Sequence, residues 1–296
     1  MAKVKELKIG ATNRVGMVED FAGGKGYNVA RALGRLGVPV TACGILFNED
    51  RQIFEEALSR DHVRNGCVLL PGRSRINLKI YDQKNAVVTE LNENGKGIDQ
   101  ASVAAVECKI KEHIKTSKFI ILSGSVAPGI DTGIYSRIIV LANESNCRAV
   151  VDADSTLLST SVEALPFMIK PNRAELEFIA GKPLHRLEEI KAAAVALVRK
   201  GIGIVAVSLG ELGALIANGA QACYAPALKL EVKSTVGAGD SMLAGMIFGI
   251  MNNKPLDEIL KLGMASASSS VIHDGTHLTD IASMQSFYSD VNVYEI

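Results

Sequence analysis

Residues 234–246 read STVGAGDSMLAGM. Gly237, Ala238 and Gly239 carry almost no side chain, and Asp240 follows them where a helical run, Ser241 to Met251, is expected to begin. Backbone N–H groups at a helix N-terminus make a site for an anion, and small residues let that anion approach them. A carboxylate beside a bound phosphate has a use as a base. It takes the proton from an attacking hydroxyl while the amides stabilise charge on a transferred phosphoryl group. The same aspartate can also serve only as first-turn charge that complements the helix dipole. On this stretch alone the two readings stand even.

A second glycine-rich turn, AGGKGYNVARALGRLG, occupies residues 22–37. Its GKGYNV half matches the dinucleotide-binding pattern G-x-G-x-x-G, but Val29 stands where the third glycine belongs. The segment before it, residues 12–21, alternates apolar and polar residues and is no buried strand, so a dinucleotide fold is excluded. No Gly-Lys pair is followed by Ser or Thr, which excludes the Walker A loop.

The elements that must position these turns follow from hydrophobic periodicity. Continuous apolar runs at 38–46, 118–123, 148–153, 167–170 and 203–208 predict strands covered on both faces. Val103, Val106, Ile110 and Ile114 predict a helix over 99–116 with Asp99 as N-cap, and Val29, Leu33 and Leu36 predict one over 26–37 ending at Gly37. Strand–helix alternation of this kind means an α/β fold with a mostly parallel sheet. Segments 12–21, 75–82 and 86–92 alternate instead. Ile76, Leu78 and Ile80 share one side and Asn77, Lys79 and Tyr81 the other, which predicts a small antiparallel flap with one wet face. No repeat or linker divides the 296 residues, so one domain over 1–296 is expected.

Composition sets limits. Lys+Arg and Asp+Glu are both 32, which favours neither nucleic acid nor an anionic membrane as partner. The five cysteines are scattered without a C-x-x-C pair and read as small buried thiols of a reducing compartment. The five histidines show no metal or triad spacing and read as surface or loop residues. The first residues, MAKVKELKIG, are too polar for a signal peptide, and a cytoplasmic protein is expected.

The two turns taken together are specific. With SRINLKI, LSGSVAPG, VVDADS, MIKPNRAELE and VSLGELGAL in order between them, the chain resembles the PfkB (ribokinase-like) carbohydrate kinases over nearly its whole length, in the 1-phosphofructokinase and tagatose-6-phosphate kinase branch. The resemblance implies a three-layer α/β/α body with a small antiparallel β lid, here about residues 11–22 and 74–93. It implies ATP and Mg²⁺, a sugar phosphate as substrate, and pairing of lids in a homodimer. It makes Asp240 the base and Gly237, Ala238 and Gly239 the anion hole. Gly24, Lys25, Asn28, Arg75 and Ser125 fall to the sugar phosphate. Lys170, Asn172, Ser208, Gly210, Gly213 and Gly239 fall to ATP, and Asn172 and Glu175 to Mg²⁺ through water. Each has a plainer reading: Asn172 and Glu175 as a capping box, Lys170 as a surface lysine, Arg75 as a solvated strand residue, Gly210 and Gly213 as an ordinary turn. Fructose 1-phosphate is the expected acceptor. Tagatose 6-phosphate, or nucleotide binding without sugar turnover, is the alternative.

The chain departs from the pattern in two places. Relatives open with a buried strand ending in a segment like N-P-A-x-D, whose aspartate holds sugar hydroxyls. KELKIGATNRV corresponds to the stretch after that strand, so the central sheet is expected to lack an inner strand. Phe47, Asn48, Glu49 and Asp50 stand where relatives carry a glycine-rich turn.

Overall fold

The computed structural model describes residues 2–85 and 87–296. In chain order, β1 (Ala2–Val4) and β2 (Met17–Val18) precede α1 (Lys25–Arg35). Next come β3 (Thr41–Ala42), β4 (Ile45–Phe47), α2 (Arg51–Arg60), β5 (Arg64–Asn65), β6 (Val68–Leu70), β7 (Asn77–Asp82) and β8 (Val87–Asn92). A run of alternating elements follows: α3 (Gln100–Ile114), β9 (Phe119–Ser123), α4 (Ile134–Glu144), β10 (Arg148–Asp152), α5 (Ser155–Val162), β11 (Met168–Ile169), α6 (Arg173–Ala180), α7 (Leu187–Arg199) and β12 (Ile204–Ser208). β13 (Ala214–Asn218), β14 (Ala222–Ala225), α8 (Ala238–Met251), α9 (Leu256–Val271), α10 (Ile281–Tyr288) and β15 (Tyr294–Glu295) complete the chain.

β9 to β12 pair parallel and β12 to β15 antiparallel, giving a seven-stranded sheet in the order β15-β14-β13-β12-β11-β10-β9. Alternate residues feed two cores, as the strand period of two requires. Val150, Met168, Ala206 and Ile216 face α1, α8 and α9. Val151, Ile169, Val205 and Leu215 face Ile139, Leu158, Leu176 and Leu197 on α4 to α7. Burial on both faces is what the continuous apolar runs demanded, and the three-layer α/β/α architecture follows from it.

The predicted helix caps are present. The Asp99 side chain accepts from Ser102 N, and Gly37 adopts a φ of +75° just past α1. Several expectations need correction. The helix of the 234–246 turn starts at Ala238, not Ser241, so Asp240 lies inside its first turn. The lid is a four-stranded mixed sheet, β2-β1-β7-β8, because Ala2–Val4 runs parallel to β7. Residues 12–21 contribute only Met17–Val18 to it, and Ala86 lies outside the described residues. The lid also lacks one clean wet face: Ile76 is 57% exposed, and Lys79 and Tyr81 are as half-buried as Leu78 and Ile80. Of the cysteines, only Cys147 and Cys223 are buried; Cys43 and Cys108 are exposed. No helix among the described residues is long and apolar enough to cross a membrane.

The central sheet stops at β9. Beyond it stand two separate two-stranded parallel sheets, β3 with β5 and β4 with β6. The run 38–46, read as one strand, is thus broken into β3 and β4 at Cys43–Gly44.

Candidate active site

The C-terminal ends of β9, β10 and β11 and the N-terminal ends of α1 and α8 converge on one cleft. Parallel sheets place their ligand sites at such ends. Gly237 caps α8 with a φ of +83°, a left-handed conformation that glycine adopts without strain, while Leu278 Cδ2 would lie 3.1 Å from any added Cβ. This turn aims the first amides of α8 into the cleft. The Ala238 N–H is directed back to the Thr235 carbonyl at 3.3 Å. Among the described residues the N–H groups of Gly237, Gly239 and Asp240 have no acceptor. The anion cradle available in this geometry is therefore Gly237, Gly239 and Asp240, with Ala238 turned away from the cleft wall.

Asp240 is only 6% exposed, yet it forms part of that wall. Asn28 Nδ2 donates to its Oδ2 at 2.8 Å. Burial pushes the Asp240 carboxyl up to about 6, against the lowering effect of Asn28; nearby Asp152 raises it further, and Lys170 and Lys25 oppose the rise. A carboxylate tuned towards neutrality and aimed into a cleft is what a general base needs.

Asp152, at the end of β10, was not singled out from the sequence. It is 1% exposed and carries both lysines: Lys25 Nζ lies 3.2 Å from Oδ1 and Lys170 Nζ 3.2 Å from Oδ2. The second contact is a charge contact outside hydrogen-bond geometry, so Oδ2 remains without a hydrogen-bond partner. Lys170 is 4% exposed, which rules out the surface-lysine reading, and its Nζ sits beside Gly239. Burial works against the Lys25 ammonium, but Asp152 and Glu175 outweigh it and hold its pKa above the ordinary value. The visible signal for Asp152 was an acid closing the apolar run RAVVD, at the strand end where parallel sheets gather chemistry.

Arg75 and Ser125, fifty positions apart, are brought together: Arg75 Nη2 donates to Ser125 Oγ at 3.1 Å. Arg75 precedes β7 and is exposed, so its fork remains available to an anion. Residues 47–50 buttress it, with Asn48 N bonded to Leu70 O, Glu49 N to Gly72 O, and the Asp50 carboxylate accepting from Ser74 N. Gly24, the N-cap of α1, lies on the same cleft wall as Lys25 and Asn28.

The remaining residues fall elsewhere. Asn172 and Glu175 form a complete capping box on α6: Asn172 N donates to Glu175 Oε2 at 2.7 Å, and Glu175 N to Asn172 Oδ1 at 2.9 Å. Burial raises the Glu175 pKa, its capping bond and Lys25 opposing, so Glu175 stands within electrostatic reach of the Lys25–Asp152–Lys170 cluster. Asn172 bridges to Ser208 across β11 and β12. Neither they nor Gly210 and Gly213 line the cleft. Gly213 is explained by packing: a Cβ there would overlap the Ala225 carbonyl oxygen. His273 and His277 stack 3.9 Å apart in the loop behind Gly237.

Known proteins match this chain over nearly its whole length. The model of the pfkB family carbohydrate kinases matches residues 2–281. A 1-phosphofructokinase of Rhodobacter capsulatus is 35% identical over 269 residues, covering 90% of this chain and 85% of the relative. A 1-phosphofructokinase of Escherichia coli is 32% identical over 276 residues, covering 93% and 88%. The crystal structure of phosphofructokinase-2 from Escherichia coli in complex with substrates and products superposes with a TM-score of 0.90 at 24% identity, over 98% of this chain and 94% of that one.

Proposed function

Because the chain belongs to the pfkB family of carbohydrate kinases, we propose that it transfers the terminal phosphoryl group of ATP to a hydroxyl of fructose 1-phosphate, giving fructose 1,6-bisphosphate. The observation that carries this reading is Asp240: a carboxylate raised to about 6, set beside open amides at the mouth of a helix. Asp240 takes the proton of the sugar hydroxyl. The Gly237, Gly239 and Asp240 amides hold the migrating phosphoryl oxygens, and Lys25 and Lys170 supply positive charge beside them. Arg75 and Ser125 receive the phosphate already on the sugar, with Gly24 and Asn28 lining its hydroxyl side. The 1-phosphofructokinase names of the relatives support this choice of acceptor.

ATP is placed by Ser208, Gly210 and Gly213 at the turn after β12, and its phosphates point to Gly239 and Lys170. Oxygen donors suit Mg²⁺, and Asp152 Oδ2, buried without a hydrogen bond, sits in the same electrostatic cluster as Glu175. Asn172 and Glu175, an amide and a carboxylate at N-x-x-E spacing, would hold such an ion through its own water. When bound, the ion would supply charge neutralisation on the phosphates. Val18, Val87 and Leu91 leave apolar surface on the lid, which supports pairing of two lids in a homodimer.

The test is ADP release at saturating Mg²⁺–ATP with fructose 1-phosphate, tagatose 6-phosphate and fructose 6-phosphate in turn. Turnover is expected to be highest on fructose 1-phosphate and to stop on chelation of Mg²⁺. Preference for tagatose 6-phosphate reassigns the acceptor. A second reading, a nucleotide-binding homologue without sugar turnover, is favoured by the break in the sheet beside β9; ATP binding with no sugar-dependent ADP release would establish it.

A further inference from the structure

A second cavity, of about 280 Å³, shares no lining residue with the cleft. It lies at the other end of the central sheet. Arg148 opens β10 and Asp152 closes it, four steps of about 3.3 Å away. Phe167 comes just before β11 and Lys170 just after it, and Gly203 stands at the entry to β12. Small-molecule pockets run from about 300 Å³ upwards, so the space suits a ligand of few atoms and not a nucleotide.

Its walls carry one charge. Arg148 lines the cavity, and no carboxylate does. The guanidinium carbon stands 4.8 Å from the centre of the Phe167 ring and 5.7 Å from that of Phe119. Those rings meet edge-on at 6.0 Å, so the cation is seated over both. Ring faces hold the charge but leave the N–H fork unspent. Among the described residues the Arg148 side chain has no ion pair and no hydrogen-bond acceptor.

Two backbone donors line the same cavity. Phe167 O accepts from Ile204 N, so the backbone groups of Phe167 face β12. Its N–H nevertheless has no acceptor among the described residues. Asn146, at a φ of +54°, follows the C-cap of α4, and its N–H has none either. The rest of the wall is apolar. Leu165 and Pro166 contribute to it, and Asn143 Nδ2 fixes this loop by donating to the Ala164 and Leu165 carbonyls at 3.2 and 3.3 Å. Gly203 is required here, because a Cβ would come within 2.9 Å of Phe167 O.

We infer that this cavity is a second ligand site, for a small phosphate monoester held by Arg148, with its short carbon chain against Leu165 and Pro166. The fork takes two oxygens of an oxyanion. A carboxylate has only those two and leaves the Asn146 and Phe167 donors unserved. A phosphate brings a third oxygen for them. The occupant sits about 13 Å, the length of β10, from Asp152, so it is not the phosphoryl acceptor of the cleft.

The probe is glycerol 3-phosphate, added to the full chain and followed by backbone amide NMR at fixed ionic strength. Saturable shifts of the Asn146 and Phe167 amides are expected, separate from those of Gly237 and Gly239 in the cleft. Arg148→Met keeps a long unbranched chain and a sulfur over the two rings but removes the fork and its charge. It should weaken binding at Asn146 and Phe167 about 10–100-fold, the worth of hydrogen bonds to a charged group, and leave the Gly239 titration unchanged. Glycerol and lactate, titrated against the unsubstituted chain, test the charge and the class of anion without relying on the variant. Each should bind at least about tenfold more weakly than glycerol 3-phosphate. The inference is overturned if the Asn146 and Phe167 signals do not move, if Arg148→Met binds as tightly, or if glycerol or lactate matches the phosphate ester. No arm reads turnover, so the outcome stands apart from the kinase assignment.

Discussion

Asp240→Asn is expected to lower sugar-phosphate-dependent turnover by about 10²–10⁴-fold, the range that a positioned general base contributes. The substitution keeps size and shape but cannot accept a proton. ATP affinity should be equal or tighter, because a negative charge beside the phosphates is gone. Folding should not suffer either: the carboxylate is buried and raised to about 6, so its ionised form is a liability to the fold. Isothermal titration with ATP and a melting curve, run beside the turnover assay, separate loss of chemistry from loss of structure. Near-normal turnover rejects Asp240 as the base, and a collapsed melting temperature would assign the aspartate a structural role.

Asp152→Ala is expected to cost stability heavily. It strips the counter-charge from Lys170, which is 4% exposed, and removing one partner of a buried pair costs about 3–5 kcal/mol. For a chain of this size the melting temperature should fall on the order of 10 °C. Arg51→Ala, which breaks an exposed helix-surface pair with Glu55, is the matched control and should move it by no more than about 1–2 °C. Lys25 also loses its anchor, and its pKa, held up in part by Asp152, should drop towards the ordinary value. Turnover should fall as well, because both lysines lose the position from which they face Gly239 and the cleft. Unchanged melting would mean that Lys170 finds water or another partner and that Asp152 does not organise the site.

The sequence made the body of the fold legible because burial on both faces leaves a simple mark. The runs 118–123, 148–153, 167–170 and 203–208 coincide with β9 to β12 within a residue or two. The cap at Asp99 and the left-handed Gly37 were legible for a similar reason, since each is a local requirement of the backbone. What escaped was long-range. Asp152 meets Lys25 across 127 positions, and no spacing rule registers such a pair. β1 escaped because three residues, AKV, carry no readable period, and only pairing with Tyr81 and its neighbours makes them a strand. The start of α8 was placed late because glycines are weak helix formers, and here the αL cap at Gly237 sets the boundary. The lid faces were misjudged for a related reason: alternation reports a potential apolar face, not whether anything covers it. The end of the central sheet at β9 is where the family pattern led one to expect a missing inner strand.

The site residues divide along the same line. Lys25, Asn28, Arg75, Ser125, Lys170 and Asp240 meet in one cleft, although the sequence scatters them from the first turn to the last. Asn172 and Glu175 satisfy a helix end as a capping box, and that local role does not exhaust a carboxylate that also feels Asp152 and two lysines.

The most direct measurement is the pH dependence of kcat/KM for ADP release with fructose 1-phosphate. The folded pKa of Asp240 is raised, so the group favours the fold when protonated, and that contribution fades as pH rises from about 4 to 6. Catalysis runs the other way. The ionised base is the active form, and kcat/KM should fall about tenfold for each pH unit below about 6 and level off above 7. A profile that stays flat between pH 4.5 and 8 at constant ATP affinity, in a protein still folded across that range, would contradict proton abstraction by Asp240.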